Sequence, residues 1–275
     1  MIELPEIAEV RTVAKTLNKN IVGRKIISIE TPYDKIIKSN KKEFINTLIN
    51  KTLKSVSSYG KWLLFDFGEY TMLSHLRMEG KYFIKPSNEK YDKHEHIIFH
   101  LDNSTDLRYH DVRKFGVMIL CKTNDIFNLD EISKLGFEPD DEKLTKEYLY
   151  NKINKSNKHI KELLLDQSII NGLGNIYVDE VLFASLINPE RLGKTISLDE
   201  CQSIIENSKK IIKKATECGG CTIRSYTSSL GVIGHYQDYL KVHTKANDKC
   251  PKCNNKIIKI RVGGRGTYLC TNCQK

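Results

Sequence analysis

Four cysteines near the end of the chain have the spacing of a metal site. Cys250 and Cys253 form one Cys-x2-Cys pair, and Cys270 and Cys273 form a second pair after sixteen intervening residues. Two such pairs allow a short hairpin to present four thiolates tetrahedrally to Zn²⁺. A site closed by four sulfur ligands has no open position for a substrate, so its role is structural. The sequence therefore predicts one structural zinc ion per chain at these cysteines.

The segment that carries these cysteines also carries most of the net charge. Residues 241–275 contain nine Lys or Arg side chains and one acidic residue, Asp248, whereas the other 240 residues contain 35 basic and 33 acidic side chains. This segment thus contributes +8 of the formal net charge of +10. A basic charge concentrated on one small element stiffened by metal is typical of a nucleic-acid contact.

Length and composition indicate a globular protein with a substantial core. At 275 residues and 40% hydrophobic content, two domains are expected rather than one. No apolar run approaches the length of a membrane span, and the acidic residues Glu3, Glu6 and Glu9 make the start of the chain unlike a secretory signal peptide. We therefore expect a cytoplasmic protein with no membrane partner.

The cysteines outside the metal site are expected to be free thiols, because disulfides are rare in a reducing cytoplasm. Cys121 and Cys201 lie in apolar patterns typical of core residues. Cys218 and Cys221 form a further Cys-x2-Cys pair around two glycines. We interpret this pair as part of a loop, with redox or metal chemistry as the alternative.

The elements that must position these groups change character along the chain. Short β-rich runs separated by Gly, Asn and Asp turns extend from about residue 26 to about residue 120 and indicate a sandwich or barrel. Before them, an apolar face and Pro5 predict a helix over 5–17. The polar, acidic stretch 121–145 is interpreted as a connection between domains.

Helical patterns follow this connection and cover 144–153, 158–170, 176–187 and 198–216. The last of them opens with a capping box, Ser197-x-x-Glu200. The sequence therefore predicts an α+β fold with an N-terminal β-sandwich domain and flanking helices, a C-terminal helical domain, and a zinc β-hairpin finger. The predicted boundaries are 1–130, 145–240 and 241–275.

A glycine-containing turn, Asn171-Gly172-Leu173-Gly174-Asn175-Ile176-Tyr177, lies between two of the helical patterns. It is too short and wrongly placed for a dinucleotide-binding fingerprint, which follows a strand. Asn175 is expected to cap the next helix, whose backbone N–H groups could hold a phosphate at the positive end of the helix dipole. The alternative is that the segment is only a turn.

The residues around this turn resemble a known family. Leu163-Leu164-Leu165-Asp166-Gln167 and the stretch from Gly172 to Glu180 are similar to the helix-two-turns-helix signature of the bacterial formamidopyrimidine-DNA glycosylase and endonuclease VIII family. Further similar motifs follow in family order and cover essentially the whole chain: Glu3-Leu4-Pro5-Glu6, Gly60-Lys61-Trp62-Leu63-Leu64, His75-Leu76-Arg77-Met78-Glu79-Gly80, Lys93-His94-Glu95-His96, Asp111-Val112-Arg113-Lys114-Phe115-Gly116 and Arg265-Gly266-Thr267-Tyr268-Leu269-Cys270. The implied architecture agrees with the periodicity.

The resemblance implies a base-excision-repair enzyme. Members of the family flip a damaged nucleotide out of duplex DNA, cut its glycosidic bond, and nick the strand by β- and δ-elimination. The implied partner is double-stranded DNA that contains damaged or abasic sites. We expect a monomer, associated with the nucleoid through DNA.

The resemblance also assigns roles to individual residues. Met78 and Phe115 are implied as apolar wedges that fill the gap left by the flipped base, with Arg113 donating to the orphaned partner base. Glu3 and Glu6 are implied as active-site carboxylates, with Glu3 moving protons at the sugar. The residues implied to contact DNA phosphates or to complete the DNA-binding set are Lys61, which would hold the phosphate of the lesion, Lys161, Asn175, Arg265 and His94.

The segment from Gly219 to Tyr226, with the loop that continues to Lys241, resembles the base-capping loop of the formamidopyrimidine branch rather than that of endonuclease VIII. Loops vary most where they determine specificity. Oxidised purines are therefore the expected substrate class.

One departure from the family bears directly on the chemistry. The family attacks sugar C1′ with an N-terminal proline exposed by removal of the initiator Met, whereas this chain has Ile2. A bulky second residue normally leaves Met1 in place, so the free amine would be primary and one residue, about 3.8 Å, out of register. An α-amino group with a pKa near 8 is still about one tenth unprotonated at neutral pH. Smaller departures are Val112 for Pro, Ala8 for Glu and Cys221 for Thr.

Three functions remain open from sequence alone. The first is a glycosylase and abasic-site lyase with altered or weakened chemistry at Met1 or Ile2. The second is a damage-binding protein that keeps the flipping apparatus without covalent catalysis. The third is a zinc-ribbon accessory factor of transcription or translation. Glu3, Glu6 and Lys61 favour the enzyme, because a protein that only binds DNA does not need a proton-transfer carboxylate beside its N-terminus.

Overall fold

The computed structural model describes residues 5–221 and 234–275, so residues 1–4 and 222–233 lie outside the described part. The chain divides into two compact units, Met1–Ser133 with Gly219–Gly234, and Lys134–Cys218 with His235–Lys275. The expected division into 1–130, 145–240 and 241–275 stays a prediction. No helix among the described residues is long and apolar enough to cross a membrane.

Two antiparallel sheets of four strands form the described core of the first unit. Their strand orders are β1-β6-β7-β5 and β2-β3-β4-β8. Phe65 and Met72 of one sheet share a buried cluster with Phe99 and Tyr109 of the other, so the sheets pack as a sandwich. The strands are β1 Ile26–Glu30, β2 Ser55–Tyr59, β3 Trp62–Asp66, β4 Tyr70–His75, β5 Lys81–Pro86, β6 Glu95–Leu101, β7 Thr105–His110 and β8 Val117–Lys122.

Helix α1, Ile7–Ile21, packs on this sandwich and differs from its predicted bounds. It begins two residues after Pro5, because Glu6 occupies the N-cap position and its N–H is accepted by Glu9 Oε2 at 3.0 Å. It continues beyond residue 17, since Ile21 is also buried in the core. The other helices of this unit are α2 Lys41–Leu48 and α3 Asp130–Ser133, with 3₁₀ turns at Asp34–Ile36 and Thr123–Asn128.

Helices and one hairpin build the described part of the second unit. The helices are α4 Lys146–Ile153, α5 Ile160–Leu165, α6 Asn175–Ala184 and α7 Leu198–Glu217; the hairpin strands are β9 Ile258–Val262 and β10 Arg265–Leu269; and 3₁₀ turns lie at Gly193–Thr195 and Tyr236–Tyr239. The predicted capping box of α7 is confirmed, because Ser197 Oγ accepts the N–H of Glu200 and Glu200 Oε2 accepts that of Ser197. The α+β class is also confirmed.

The predicted helix over 158–170 is too long. Helix α5 ends at Leu165, and Asp166 Oδ1 accepts both the N–H and the hydroxyl of Ser168, at 2.9 and 2.7 Å. The Asp166 side chain thus stabilises a turn at this position, which competes with continuation of the helix. Residues 166–174 therefore form the tight connection that brings α5 and α6 together.

Candidate functional site

The four predicted zinc ligands lie together in the second unit. The Sγ atoms of Cys250, Cys253, Cys270 and Cys273 all lie within 4.8 Å of one another, and individual separations are 3.8 Å for Cys250–Cys273 and 3.4 Å for Cys253–Cys270. A regular tetrahedron with Zn–S bonds of about 2.3 Å has sulfur–sulfur edges of about 3.8 Å. The arrangement thus fits one closed structural zinc site.

The hairpin that leads from the first cysteine pair to the second presents Arg265 at its tip. Strands β9 and β10 pair from Arg265↔Val262 onward, and the connecting Gly263 and Gly264 have φ of 53° and 76°. Two consecutive positive φ values suit a two-residue hairpin turn and favour glycine. Arg265 is exposed, so its guanidinium is available to an anion.

Lys161 does not lie where a direct phosphate contact requires it. Its side chain is fully buried, and Nζ lies 2.6 Å from Asp179 Oδ1 and 3.1 Å from the carbonyl oxygen of Gly266. The ammonium group is therefore held by an internal carboxylate. We correct its expected role: in this structure Lys161 joins α5 to α6 and to the finger hairpin instead of presenting its charge at the surface.

Asn175 also differs from expectation, since it is the first residue of α6 and Gly174 is the N-cap. The expected capping role is wrong. Asn175 Nδ2 donates to the same Gly266 carbonyl at 3.1 Å, and Oδ1 is buried with no hydrogen-bond partner among the described residues. The amide thus fixes the backbone next to Arg265 at the N-terminal end of α6.

The sequence interpretation missed Asp179 and His243 as the centre of this network. Asp179 Oδ2 lies 2.8 Å from His243 Nδ1 and accepts the N–H of Tyr268 at 3.3 Å. The neighbouring Glu180 accepts the N–H groups of residues 241–243, each at 2.9 Å. Burial raises the pKa of Glu180, and the three backbone donors oppose that shift. The sequence signal that could have identified Asp179 is its position beside a second acidic residue, Glu180, in an otherwise apolar helix.

Met78, Arg113 and Phe115 lie together in the first unit. Arg113 Nη1 is 2.8 Å from Met78 Sδ, and the guanidinium lies over the Phe115 ring at 4.7 Å from its centroid. Phe115 is 52% exposed. The buried Asp111 carboxylate shapes this loop by accepting the N–H groups of Arg113, Phe115 and Gly116 at 2.8–2.9 Å. The result is a partly exposed apolar and cationic cluster, with Phe115 its most exposed member, on a backbone held by Asp111.

Lys61 lies in the two-residue turn between β2 and β3 and is partly buried. Its charge acts on His75, which the sequence interpretation missed as a candidate although it stands in a quoted motif. Burial lowers the pKa of His75 to about 3, and the charges of Arg77 and Lys61 add to the effect. His75 Nδ1 accepts the N–H of Arg77 at 3.0 Å, so the ring proton of the neutral form is on Nε2.

His94 is half-buried, and its ring lies 5.6 Å from that of His110 in an edge-on arrangement. Its Nδ1 is buried without a hydrogen-bond partner among the described residues. The expected DNA contact of His94 stays a prediction.

At the start of the chain, Glu6 is 2% exposed and occupies the N-cap of α1. The expected catalytic residues Met1, Ile2 and Glu3 lie outside the described residues, as do residues 222–233 of the expected base-capping segment.

Comparison with known families matches three domains along the chain. Residues 4–118 match the formamidopyrimidine-DNA glycosylase N-terminal domain, residues 135–227 the formamidopyrimidine-DNA glycosylase H2TH domain, and residues 247–275 a zinc finger found in FPG and IleRS. The finger match and the sulfur geometry establish one zinc ion at the four cysteines.

Full-length relatives agree with these matches. The chain is 43% identical to the formamidopyrimidine-DNA glycosylase of Ligilactobacillus salivarius over 98% of this chain and 99% of that protein, and 42% identical to that of Bacillus subtilis over 98% and 99%. It is also similar to Lactococcus lactis Fpg in complex with abasic-site DNA, with a TM-score of 0.92 and 39% identity over 98% of this chain and 99% of the other. The chain therefore belongs to the formamidopyrimidine-DNA glycosylase family and is a zinc-finger DNA glycosylase and abasic-site lyase of base-excision repair that acts on damaged duplex DNA.

Proposed function

We propose that this enzyme excises oxidised purines and uses the amine at its own N-terminus as the nucleophile. The observation that carries the proposed excision is the cluster of Met78, Arg113 and Phe115, which offers the apolar and donor groups that extrusion of a nucleotide requires. The N-terminal nucleophile is proposed from the family resemblance at Glu3-Leu4-Pro5-Glu6. The substrate class is supported by the resemblance of 219–241 to the formamidopyrimidine branch. It is also supported by similarity to Lactococcus lactis Fpg bound to N7-benzyl-Fapy-dG DNA, with a TM-score of 0.92 and 38% identity over 98% of this chain and all of that one.

The cluster supports base flipping through its chemistry. Phe115 and Met78 supply apolar surface that can enter the stack where the damaged nucleotide leaves. Arg113 carries several N–H donors that no carboxylate among the described residues occupies, and these can bind the base left without a partner. These contacts offset part of the free-energy cost of unstacking the damaged nucleotide.

Phosphate binding is proposed at three exposed or partly exposed groups. Lys61 and the neutral His75 Nε2–H supply a charge and a directed donor in the first unit. Arg265 supplies a guanidinium in the second unit, beside the N-terminal end of α6 that Asn175 helps to fix. Lys161 acts here as a positioning residue, since it is buried.

The proposed chemistry is covalent. An unprotonated amine of residue 1 attacks sugar C1′, and the glycosidic electron pair leaves with the base, which takes up a proton. The bound nitrogen loses a proton, and the C1′–O4′ bond breaks with protonation of O4′, which gives an iminium. Loss of a C2′ proton from this iminium then permits elimination of the 3′ phosphate, and a second elimination releases the 5′ phosphate. Glu3 moves protons at the sugar, and Glu6 supports it from the start of α1. Because Ile2 stands where the family has proline, we expect a slower attack, since misplacement by 1 Å can cost about 10² in rate.

Borohydride trapping tests this proposal. On an abasic duplex, reduction should capture a covalent protein–DNA adduct that maps to residue 1 by peptide mass, with intact mass showing whether Met1 is present. Glu3→Gln should abolish release of an oxidised purine while binding persists. An adduct at Lys61 would move the nucleophile to a side chain. No adduct and no nicking, with selective binding to damaged duplex retained, would leave a damage-binding protein.

The substrate class has its own control. One similar structure is Lactococcus lactis Fpg with DNA that contains an oxidized pyrimidine, at a TM-score of 0.91 and 38% identity. Matched duplexes with an oxidised purine or an oxidised pyrimidine at the same position should therefore be compared. Faster release of the pyrimidine would overturn the proposed preference.

A further inference from the structure

We propose that Glu9 is a positioning residue of this enzyme, whose carboxylate holds the start of α1 and the backbone at Cys221 in one fixed arrangement. The inference rests on the proposed function, in which the start of the chain supplies the amine and the segment 219–241 recognises the damaged base. It adds a residue that neither the family motifs nor the charge pattern assigns to the reaction.

Both carboxylate oxygens of Glu9 are engaged by backbone donors. Oε2 accepts the N–H of Glu6 at 3.0 Å, and Oε1 accepts the N–H of Cys221 at 2.7 Å. Glu9 is 5% exposed, and Glu6 and Cys221 are also buried. Hydrogen bonds to an ionised acceptor are short and about twice as strong as neutral ones. One side chain thus connects segments 212 residues apart in sequence.

The backbone around Cys221 is shaped to receive this carboxylate. Gly220 has a φ of +78°, and a Cβ atom there would lie 2.6 Å from Glu9 Oε1. A Cβ atom on Gly234 would lie 2.3 Å from the carbonyl oxygen of Gly220. Only glycine fits at either position without displacement. The backbone at Gly220 therefore packs against Glu9 on one side and against Gly234 on the other.

This contact has a consequence for the reaction. Glu6 stands three residues after Glu3, and Cys221 lies within the segment 219–241 assigned to base recognition. A shift of the Glu9 carboxylate changes both attachment points together. Since small displacements of reacting groups lower rates steeply, loss of Glu9 is expected to slow catalysis more than it weakens DNA binding.

Single-turnover assays on two duplexes separate the two attachments. An oxidised-purine duplex requires base recognition, whereas a preformed abasic duplex has no base to recognise. Glu9→Ala should lower the single-turnover rate constant for purine release about tenfold or more, lower that for abasic nicking less, and leave the Kd for either duplex within about threefold. Glu9→Gln, which retains one acceptor oxygen, should recover part of the loss.

Gly220→Ala displaces the carboxylate without removing it and should reproduce the defect in purine release. In the Glu9→Ala background, Gly220→Ala should lower the rate of purine release by a smaller factor, because the Glu9 carboxylate that the new Cβ would contact is absent. Such non-additivity would show that the two residues act through this contact. Glu200→Ala is the matched control. Glu200 also accepts the N–H of its helix N-cap, Ser197, at 2.8 Å, but its removal should leave both rates within about twofold.

Amide hydrogen exchange supplies a readout that does not need activity. Glu9→Ala should accelerate exchange at Glu6 and Cys221, while Glu200→Ala should not. If the wild-type protein nicks abasic DNA but releases no oxidised purine, the proposed substrate class fails, and exchange together with nicking still tests Glu9. Unchanged exchange at Cys221, or faster exchange with wild-type rates on both duplexes, would overturn the inference.

Discussion

Two buried aspartates organise the two units in different ways. In the first unit, Asp111 accepts three backbone N–H groups and leaves the side chains of Arg113 and Phe115 available at the surface. In the second unit, Asp179 binds the side chains of Lys161 and His243 and thereby withdraws both from the surface. The Asp111 arrangement leaves side chains available for binding, whereas the Asp179 arrangement uses side chains to hold the internal structure of its unit.

The difference has an energetic basis. Backbone N–H groups are neutral, so water can replace Asp111 wherever the loop is exposed. Removing the carboxylate partner of a buried ammonium costs more free energy, because the desolvation of the remaining charge is then uncompensated. The unit that contains Lys161 should therefore be the more sensitive to loss of its aspartate.

Removal of Asp179 should produce the largest effect. Asp179→Ala leaves the Lys161 ammonium buried beside the Gly266 carbonyl and is expected to lower the free energy of unfolding by about 3–5 kcal/mol. Urea unfolding followed by circular dichroism measures this loss. In the Asp179→Ala background, Lys161→Met should cost at least about 1 kcal/mol less than in the wild type, because both charges are then absent.

If Lys161→Met lowered the free energy of unfolding equally in the wild type and in Asp179→Ala, the proposed difference between the two units would be contradicted. Such equal losses would show that Lys161 and Asp179 contribute independently. Zinc content should be measured in each variant, since loss of the metal would unfold the finger by a separate route.

Removal of Asp111 should affect catalysis more than stability. Asp111→Ala deprives three N–H groups of their acceptor, and partial exposure of the loop limits the expected destabilisation to about 1–3 kcal/mol. Displacement of Arg113 and Phe115 should lower the rate of base excision about 10- to 100-fold. Asp111→Asn, which keeps one acceptor oxygen, should fall between Asp111→Ala and the wild type.

Asp102→Ala provides the control for loss of an acidic side chain, because Asp102 is exposed at a turn of the same sheet. It should leave excision and stability close to the wild-type values. Excision by Asp111→Ala at the wild-type rate would show that the exposed cluster does not depend on its backbone support.

The comparison also shows what could be predicted from the sequence. The sandwich, the helices and the zinc finger follow from periodicity and from Cys-x2-Cys spacing, which are local signals. The burial of Lys161 does not, because its partner Asp179 lies 18 residues away and the shared Gly266 carbonyl 105 residues away. A sequence motif does not distinguish a lysine at the surface from a lysine that is buried and paired with a carboxylate.

Other differences have equally physical reasons. Helix α5 stops at Leu165 because the Asp166 side chain accepts hydrogen bonds from Ser168. The altered pKa of His75 arises mainly from burial and then from the charge of Arg77. Both depend on where side chains are placed after the chain has folded, which single-sequence patterns do not record.

Arg265→Ala should have the smallest effect of the three substitutions, because Arg265 lies at the exposed hairpin tip and belongs to neither aspartate network. Loss of one phosphate contact should weaken binding by about 1 kcal/mol and reduce the slope of log K against log salt by about 1, equally for damaged and undamaged duplexes. Arg261→Ala is the matched control, since Arg261 is an exposed arginine of the same hairpin whose Nε donates to the Gly264 carbonyl at 3.1 Å. Salt titrations by fluorescence anisotropy measure both slopes. A loss by Arg265→Ala that is confined to damaged DNA would show that Arg265 reads the lesion, and the finger would then present a functional side chain in the manner of the Asp111 loop.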